Sequence, residues 1–291
     1  MSTIKEIKEI LYPNYDKTYN YPENPYWNGI VNNALRCTDC DSVPKVDNAG
    51  EVFTDDKIQY QLMHNGVLIH EGCYHGKWMT DVIKVGRGHH EPQEEKLFYE
   101  VLKYIPKNSV MVECGSFWAY YSLWFNKIVK NGRNIMIEPN PEKLEIGKLN
   151  FQLNNFEGEF FNGVISTLSQ EPSMFYDDYL NTISVPSIPI DYLFIHADID
   201  KINILHADIQ GNEETLLNSA KDSLTNNKID FLFLATHSPN NIFIEILKSY
   251  NYHILESFEV EESWFDDGLI LACSPKIIDK IDKTKFKVSK R

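Results

Sequence analysis

The sequence predicts an α/β fold: a doubly wound, mostly parallel seven-stranded sheet of Rossmann-like build, preceded by an irregular amino-terminal arm that contains a β-hairpin. Three observations carry this expectation. From Val110 onward short apolar runs take turns with amphipathic stretches at the interval of βαβ units. The last two apolar runs have no helical stretch between them and are expected to close the sheet as an antiparallel pair. The residues before Gly88 lack sustained periodicity and are crowded with Pro, Asn, Asp and Tyr. The chain therefore divides into an arm over 1–87, a main domain over 88–275 and a basic tail over 276–291.

Taken in order, Tyr12 to Val46 reads as an irregular segment lying over something else. Ile58 to Ile69 carries two apolar runs joined at Asn65-Gly66, a pair that tolerates the positive φ of a tight hairpin turn. After the break at Gly86-Arg87-Gly88, Gln93 to Tyr104 has Leu97, Val101 and Leu102 at helical spacing, with Glu residues in its first turn. Strands follow at Val110 to Cys114, Asn134 to Glu138, Phe160 to Ile165, Ile202 to Asp208, Phe231 to Thr236, His253 to Phe258 and Leu269 to Cys273. Helices between them are expected at Trp118 to Val129, Glu142 to Leu153, Glu213 to Ala220 and Ile242 to Ser249.

With 43% hydrophobic and 24% charged residues, a packed core is expected. The net charge of −14 argues against an extended phosphate-binding surface, and so against a nucleic-acid substrate. The basic run from Lys276 to Arg291 reads as a solvated, frayed terminus. No apolar run approaches the roughly 18 residues of a membrane span, and Met1 to Ile10 alternates charge with isoleucine, unlike a signal peptide. A cytoplasmic protein without membrane insertion is expected, with homo-oligomerisation left open. Five scattered cysteines do not suggest a disulfide framework. Cys37 and Cys40 form a CxxC pair, but no second Cys/His pair stands at matching spacing, so they read as two reduced thiols near a turn.

Ligands of open α/β sheets sit outside the carboxyl ends of the strands. The first strand ends in Glu113-Cys114-Gly115-Ser116-Phe117, where Gly115 lets the backbone turn sharply and approach a ligand. The second ends in Glu138-Pro139-Asn140-Pro141, which places a carboxylate where it can accept both hydroxyls of an adenosine ribose. A nicotinamide dehydrogenase would show the same acidic residue together with a fuller GxGxxG turn for its pyrophosphate. That turn is missing, and S-adenosylmethionine has no phosphate to bind.

These residues, with His90-Glu91-Pro92-Gln93-Glu94-Glu95, Val112 to Phe125 (VECGSFWAYYSLWF), Met136 to Pro141 (MIEPNP), His206 to Glu213 (HADIQGNE), Thr236-His237-Ser238 and Asp267-Gly268-Leu269-Ile270, resemble the FkbM-type methyltransferases over roughly His89 to Ala272. That family comprises class I S-adenosylmethionine enzymes that mostly O-methylate sugars, polysaccharides and secondary metabolites. The resemblance implies that Glu113 and Gly115 line the methionine side of the cofactor, that Glu138 holds the ribose and that the backbone near Gly163 flanks the adenine. Gln93, Ser116, Phe117 and Pro139 complete the expected cofactor-binding set. Ala119 replaces a frequent glycine of the family, and Gln210 stands where many members have Glu.

For chemistry, alternation along the fourth strand puts His206, Asp208 and Gln210 on one side at its carboxyl edge, and the fifth strand delivers His237 to the same rim. Methyl transfer gains from alignment and from removal of the acceptor's proton, so Asp208, His237 and His206 are the candidate bases. The same residues suit a divalent cation equally well, and His206 also reads as a hydrogen-bonded core residue. Tyr74 and Trp78, with Gln210, are the candidate substrate contacts; with His75 they form either an aromatic lid or ordinary packing. The expected function is an S-adenosylmethionine-dependent O-methyltransferase of a sugar, glycan precursor or related small metabolite. The alternatives are a nicotinamide-dependent dehydrogenase and a non-catalytic binding protein that retains the fold.

Overall fold

The computed structural model describes residues 29, 32–55, 58–167, 172–176 and 182–291. Met1 to Ile10 and the greater part of the segment from Tyr12 lie outside them. In chain order the strands are β1 (Val52–Asp55), β2 (Ile58–Leu62), β3 (Leu68–His70), β4 (Val110–Cys114), β5 (Arg133–Glu138), β6 (Glu159–Asn162), β7 (Val164–Ile165), β8 (Ser173–Tyr176), β9 (Thr182–Val185), β10 (Ser187–Ile188), β11 (Ile202–Ala207), β12 (Ile229–Thr236), β13 (His253–Phe258) and β14 (Gly268–Cys273). The helices are α1 (Lys77–Val85), α2 (Pro92–Leu102), α3 (Tyr120–Ile128), α4 (Pro141–Leu153), α5 (Ile190–His196), α6 (Glu213–Ser219), α7 (Lys221–Thr225) and α8 (Asn240–Ser249).

The main sheet has seven strands in the order β13-β14-β12-β11-β4-β5-β6. All neighbours run parallel except β14, which is antiparallel to both β12 and β13. Strand order reverses between β4 and β11, and the crevice of a doubly wound sheet opens at that point. Alternation sorts the side chains into two apolar layers. Met111, Met136, Ile204, Phe231 and Phe233 face α2 and α3, whereas Val112, Ile135, Leu205, Leu232 and Leu234 face α5, α6 and α8. With both faces covered, β12 is buried at every position, and its stretch Phe231 to Ala235 is unbroken apolar sequence.

The hairpin at Asn65-Gly66 is present and gains a third strand, β1, paired antiparallel to β2. Met63, Val67, Ile69, Met79 and Ile83 of the arm share one apolar cluster with Leu97, Phe98 and Trp124 of the main domain. Helices α1, α5 and α7, strand β10 and the ribbon β8–β9 have no counterpart in the sequence reading, and the single strand expected at Phe160 to Ile165 is divided into β6 and β7. Residues 276–291 depart from the expected frayed terminus. Phe286 is fully buried near Tyr104, and Ile277, Ile278, Ile281 and Val288 pack beside it while Lys287 stays in solvent. Five apolar side chains interspersed among lysines outweigh the basic composition, because each lysine keeps its head in water while its apolar neighbours leave it.

Candidate active site

Strand β4 delivers Gly115 at φ +72°, and a Cβ there would stand 1.7 Å from the Asp208 carbonyl oxygen. Only a residue without a side chain permits that approach. Asp208 N–H donates to the Cys114 carbonyl (3.1 Å), and the Gly115 and Ser116 N–H groups donate to the Ile137 carbonyl (2.9 and 3.2 Å), so three strand ends are tied into one edge. Beyond them Phe117 and Ala119 take φ of +39° and +59°. Those left-handed residues delay α3 to Tyr120, two residues later than its apolar pattern begins.

Glu138, at the end of β5, joins this turn to the next. Its Oε2 accepts from Phe117 N–H (3.1 Å) and its Oε1 from Asn140 N–H (2.9 Å). Asn140 caps α4, accepting from Glu142 and Lys143 N–H, and Pro141 stands in the first turn, so Pro139 and its neighbours form a fixed strand-to-helix corner. Gly163 lies at the adjacent strand end, its N–H donating to the Glu138 carbonyl (3.3 Å), with Pro186 and Ile188 packed against its Cα. Ser116 is buried in the turn, and its Oγ has no hydrogen-bond partner among the described residues. Glu113 points to the helical layer: it accepts from Ser122 N–H (3.1 Å) at the start of α3, and burial pushes its carboxyl up to about 7 against the pull of His206.

Asp208 and His237, expected at one rim, are brought together, and the turn before β14 adds Asp267. His237 Nε2 lies 3.0 Å from Asp267 Oδ1 and 3.8 Å from Asp208 Oδ1. Its Nδ1 is held by Glu213 Oε1 at 2.8 Å, and that oxygen also accepts from Gly211 N–H (2.8 Å). Burial opposes charge on His237, but the hydrogen bonds to Asp267 and Glu213 and the charge of Asp208 outweigh it and push the imidazole up to about 10. Asp208 is a third exposed at the mouth. Even so, the enclosing protein, then the carboxylates of Asp267 and Glu91, push it up to about 7, with His237 and Gln210 pulling the other way. Gln210, at φ +50°, donates to Asp208 Oδ1 (2.9 Å).

The other expected residues sit apart from that group. His206 is buried beneath the Tyr121 ring (4.2 Å) with its Nε2 on Glu94 Oε1 (2.7 Å), and burial holds its pKa down. Gln93 faces away from the cleft: its amide donates to the Ser289 and Glu262 carbonyls (2.7 and 3.3 Å) and its carbonyl accepts from Trp264 N–H (2.7 Å). Trp78 is buried in the core of the arm. Tyr74 does reach the site, stacked on Trp118 (4.5 Å) and edge-on to Phe117 (5.5 Å). Burial raises its hydroxyl pKa, and the charges of Glu91, Asp208 and Asp267 raise it further. Asp267, Glu213, Glu91 and Glu94 were not singled out in sequence for chemistry. Their signal was positional: each belongs to a short motif at an element end, where only the folded chain shows which side chains converge.

A doubly wound sheet with a glycine turn after its first strand and a buried carboxylate after its second is a frame that several classes of α/β proteins share, methyltransferases among them. The description "Methyltransferase FkbM domain" matches residues 100–267, and the chain belongs to that family. No curated protein matches. Among solved structures, similarity extends to TrmK of M. capricolum in complex with S-adenosyl-homocysteine (15% identity, TM-score 0.42, covering 66% of this chain and 74% of that one). It extends also to a precorrin-6y C5,15-methyltransferase from Geobacter metallireducens GS-15 (14%, 0.41, 62% and 86%) and to an O-methyltransferase from Bacillus cereus in complex with S-adenosyl-homocysteine (12%, 0.41, 64% and 82%). Among the described residues no helix is long and apolar enough to cross a membrane.

Proposed function

We propose that this chain is an S-adenosylmethionine-dependent O-methyltransferase whose acceptor is a sugar, a glycan precursor or a related small metabolite. The observation that carries the reading is the convergence of Asp208, His237 and Asp267 at the carboxyl edge of the sheet, on the strand end that Gly115 touches. The turn offers polar groups to the cofactor: Glu138 places a buried carboxylate at the strand end, and Ser116 Oγ has no hydrogen-bond partner among the described residues. When bound, the cofactor supplies an electrophilic methyl group. Asp208 takes the acceptor's proton, a task suited to a carboxylate whose pKa lies near neutrality. His237, oriented by Glu213, holds positive charge beside the oxygen that becomes nucleophilic. Tyr74 and Phe117 present aromatic surface for a sugar face.

A second reading is favoured by one specific observation: ligand atoms of Asp208, His237 and Asp267 lie within 4.8 Å of one another. Two carboxylates and an imidazole suit Mg²⁺ or Mn²⁺, and the Glu213 bond to Nδ1 is the usual brace of a metal-bound histidine. The experiment is methyl transfer from labelled cofactor across a panel of sugars and small hydroxyl-bearing metabolites. Asp208→Asn and His237→Ala should each lower the rate by about a hundredfold or more while leaving cofactor affinity near that of the parent. Loss of activity in a chelator and its return with Mg²⁺ or Mn²⁺ select the cation reading. Near-parental rates in both variants refute the site, and cofactor binding without turnover on any acceptor favours the non-catalytic alternative.

A further inference from the structure

Asp267 reaches the cleft from the link between β13 and β14. That link begins with the 3-10 turn Val260–Glu262, closed by a capping box in which the side chains of Glu259 and Glu262 each bond to the other's backbone. It ends at Gly268, where a Cβ would come within 2.5 Å of Thr236 Oγ1 and 3.0 Å of the Phe258 carbonyl oxygen, so the start of β14 is pressed against its neighbours. Between these fixed ends, Ser263 to Asp267 form neither helix nor strand. Asp208 and His237 follow directly on β11 and β12, whereas Asp267 sits on a stretch that the sheet does not hold until Gly268.

Gln93, in the first turn of α2, clasps this stretch. Its carbonyl accepts from the Trp264 N–H (2.7 Å), and its amide donates to the carbonyls of Glu262 (3.3 Å) and Ser289 (2.7 Å). An amide side chain carries donor and acceptor together, so one residue can bind an N–H and a carbonyl of the same loop. Gln93 is 3% exposed, and bonds made out of contact with water are costly to leave unmade. Ser289 is the second anchor. Its Oγ accepts from Trp264 Nε1 (3.0 Å) and donates to Asp39 Oδ2 (2.9 Å), and its N–H donates to the same carboxylate (3.0 Å). Arg291 N–H donates to the Glu262 carbonyl (3.0 Å), and Phe265 lies edge-on to His90 (6.4 Å). Three distant parts of the chain, the arm, α2 and residues 289–291, thus meet on the loop that carries Asp267.

We propose that Gln93, locked in place by Ser289, is a positioning residue for methyl transfer: it fixes Ser263 to Asp267 so that Asp267 Oδ1 stays 3.0 Å from His237 Nε2. The inference rests on the reading of Asp208, His237 and Asp267 as the reaction centre. Both Gln93 and Ser289 act through Asp267 and not on the reacting atoms. A shift of about 1 Å at a reacting group is enough to slow a reaction about a hundredfold, so a loop that carries one needs such a brace. The clasp also accounts for the burial of a glutamine that turns its back on the cleft.

The test is Gln93→Met in the whole chain, which keeps the length of the side chain and removes all three bonds. Where that variant does not fold, Ser289→Ala, which takes the acceptor from Trp264 Nε1, carries the same comparison. Amide hydrogen exchange read by mass spectrometry should show Trp264 to Asp267 exchanging about fivefold faster or more, the factor for one lost hydrogen bond, with β12 and β14 as slow as in the parent. With labelled S-adenosylmethionine and an acceptor found by the panel, kcat should fall about tenfold or more while KM for S-adenosylmethionine keeps its parental value. Gln93→Met combined with Asp267→Asn should be no slower than Asp267→Asn alone, since a residue that acts through Asp267 then has nothing left to position. A loop that exchanges as in the parent overturns the clasp. A loosened loop with parental kcat, a rise in KM in place of the fall in kcat, or additive losses in the double variant overturns the positioning role and leaves the reaction centre standing. A parental rate in Asp267→Asn, or a parent without turnover on any acceptor, removes the reading of the centre and the proposal with it.

Discussion

Substituting Gly115 by alanine tests the geometry of the cleft directly. The new Cβ would sit 1.7 Å from the Asp208 carbonyl oxygen, and Gly115 holds φ at +72°. Carbon and oxygen need a little over 3 Å, so the β4 turn and the end of β11 must part by about 1.5 Å. Forcing backbone apart in a packed interior costs ~1–3 kcal/mol, and a side chain in the left-handed region ~1–2 kcal/mol more. The reduced freedom of the unfolded chain returns less than ~1 kcal/mol. The balance is a loss of about 2–3 kcal/mol, or roughly 5–10 °C in Tm for a chain of this size. Because the displaced atoms are those that shape the cofactor turn and place Asp208, the affinity for S-adenosyl-homocysteine should fall by about tenfold or more, since even one lost polar contact costs ~1–2 kcal/mol. Thermal unfolding followed by circular dichroism gives the first quantity and titration calorimetry the second. Gly211→Ala is the control: φ there is +93°, yet no atom lies within 4 Å of the added Cβ, so only the left-handed cost applies. A Gly115→Ala protein with the Tm and affinity of the parent, or one no worse than Gly211→Ala, refutes the proposed contact between the two strand ends.

Glu138→Gln keeps the shape of the side chain but removes its charge and puts a donor against either the Phe117 or the Asn140 N–H; calorimetry should show cofactor affinity reduced at least tenfold, since charge-assisted bonds exceed neutral ones by ~1–2 kcal/mol. His237 binds its proton more tightly in the folded chain, its pKa rising from 6.5 to about 10, so it contributes stability in full below pH 6.5 that is lost as the pH climbs through about 10. Urea unfolding at pH 6 and pH 10 should find the advantage of the parent over His237→Gln larger at the lower pH; the opposite ordering would contradict the proposed hydrogen bonding. Phe286→Ala should cost about 3–5 kcal/mol, as for a fully buried aromatic, where a frayed terminus would show no change in the unfolding midpoint.

The sheet was legible because its driving pattern is local. A strand buried on both faces is mostly apolar, as Phe231 to Ala235 of β12 are, and the short link between β13 and β14, which holds only the 3-10 turn Val260–Glu262, suits their antiparallel closure. The order of Gly115, Glu138, Asp208 and His237 was legible for the same reason: each terminates an apolar run. The direction in which a side chain leaves a strand end is less local. His206 has the parity of Asp208, yet it precedes it within the strand and therefore lies under α2 and Tyr121. Gln93 belongs to the same short motif as Glu94, but the helical turn between successive residues sends one toward His206 and the other to Ser289. Asp267 was visible as part of a motif, but its partner His237 stands thirty residues earlier, and no periodicity links them.

The bond from Gln93 to Ser289 bears on how the protein is made. It spans 196 positions, and Asp39 reaches the same serine across 250. During synthesis the first strands of the sheet emerge and pair long before residue 289 exists, so the wall bearing Glu91 and Glu94 waits, with its polar groups in water, for the final segment to arrive. A nascent chain in which Ser289 has not yet emerged would hold the sheet while Gln93 and Asp39 still lack that partner.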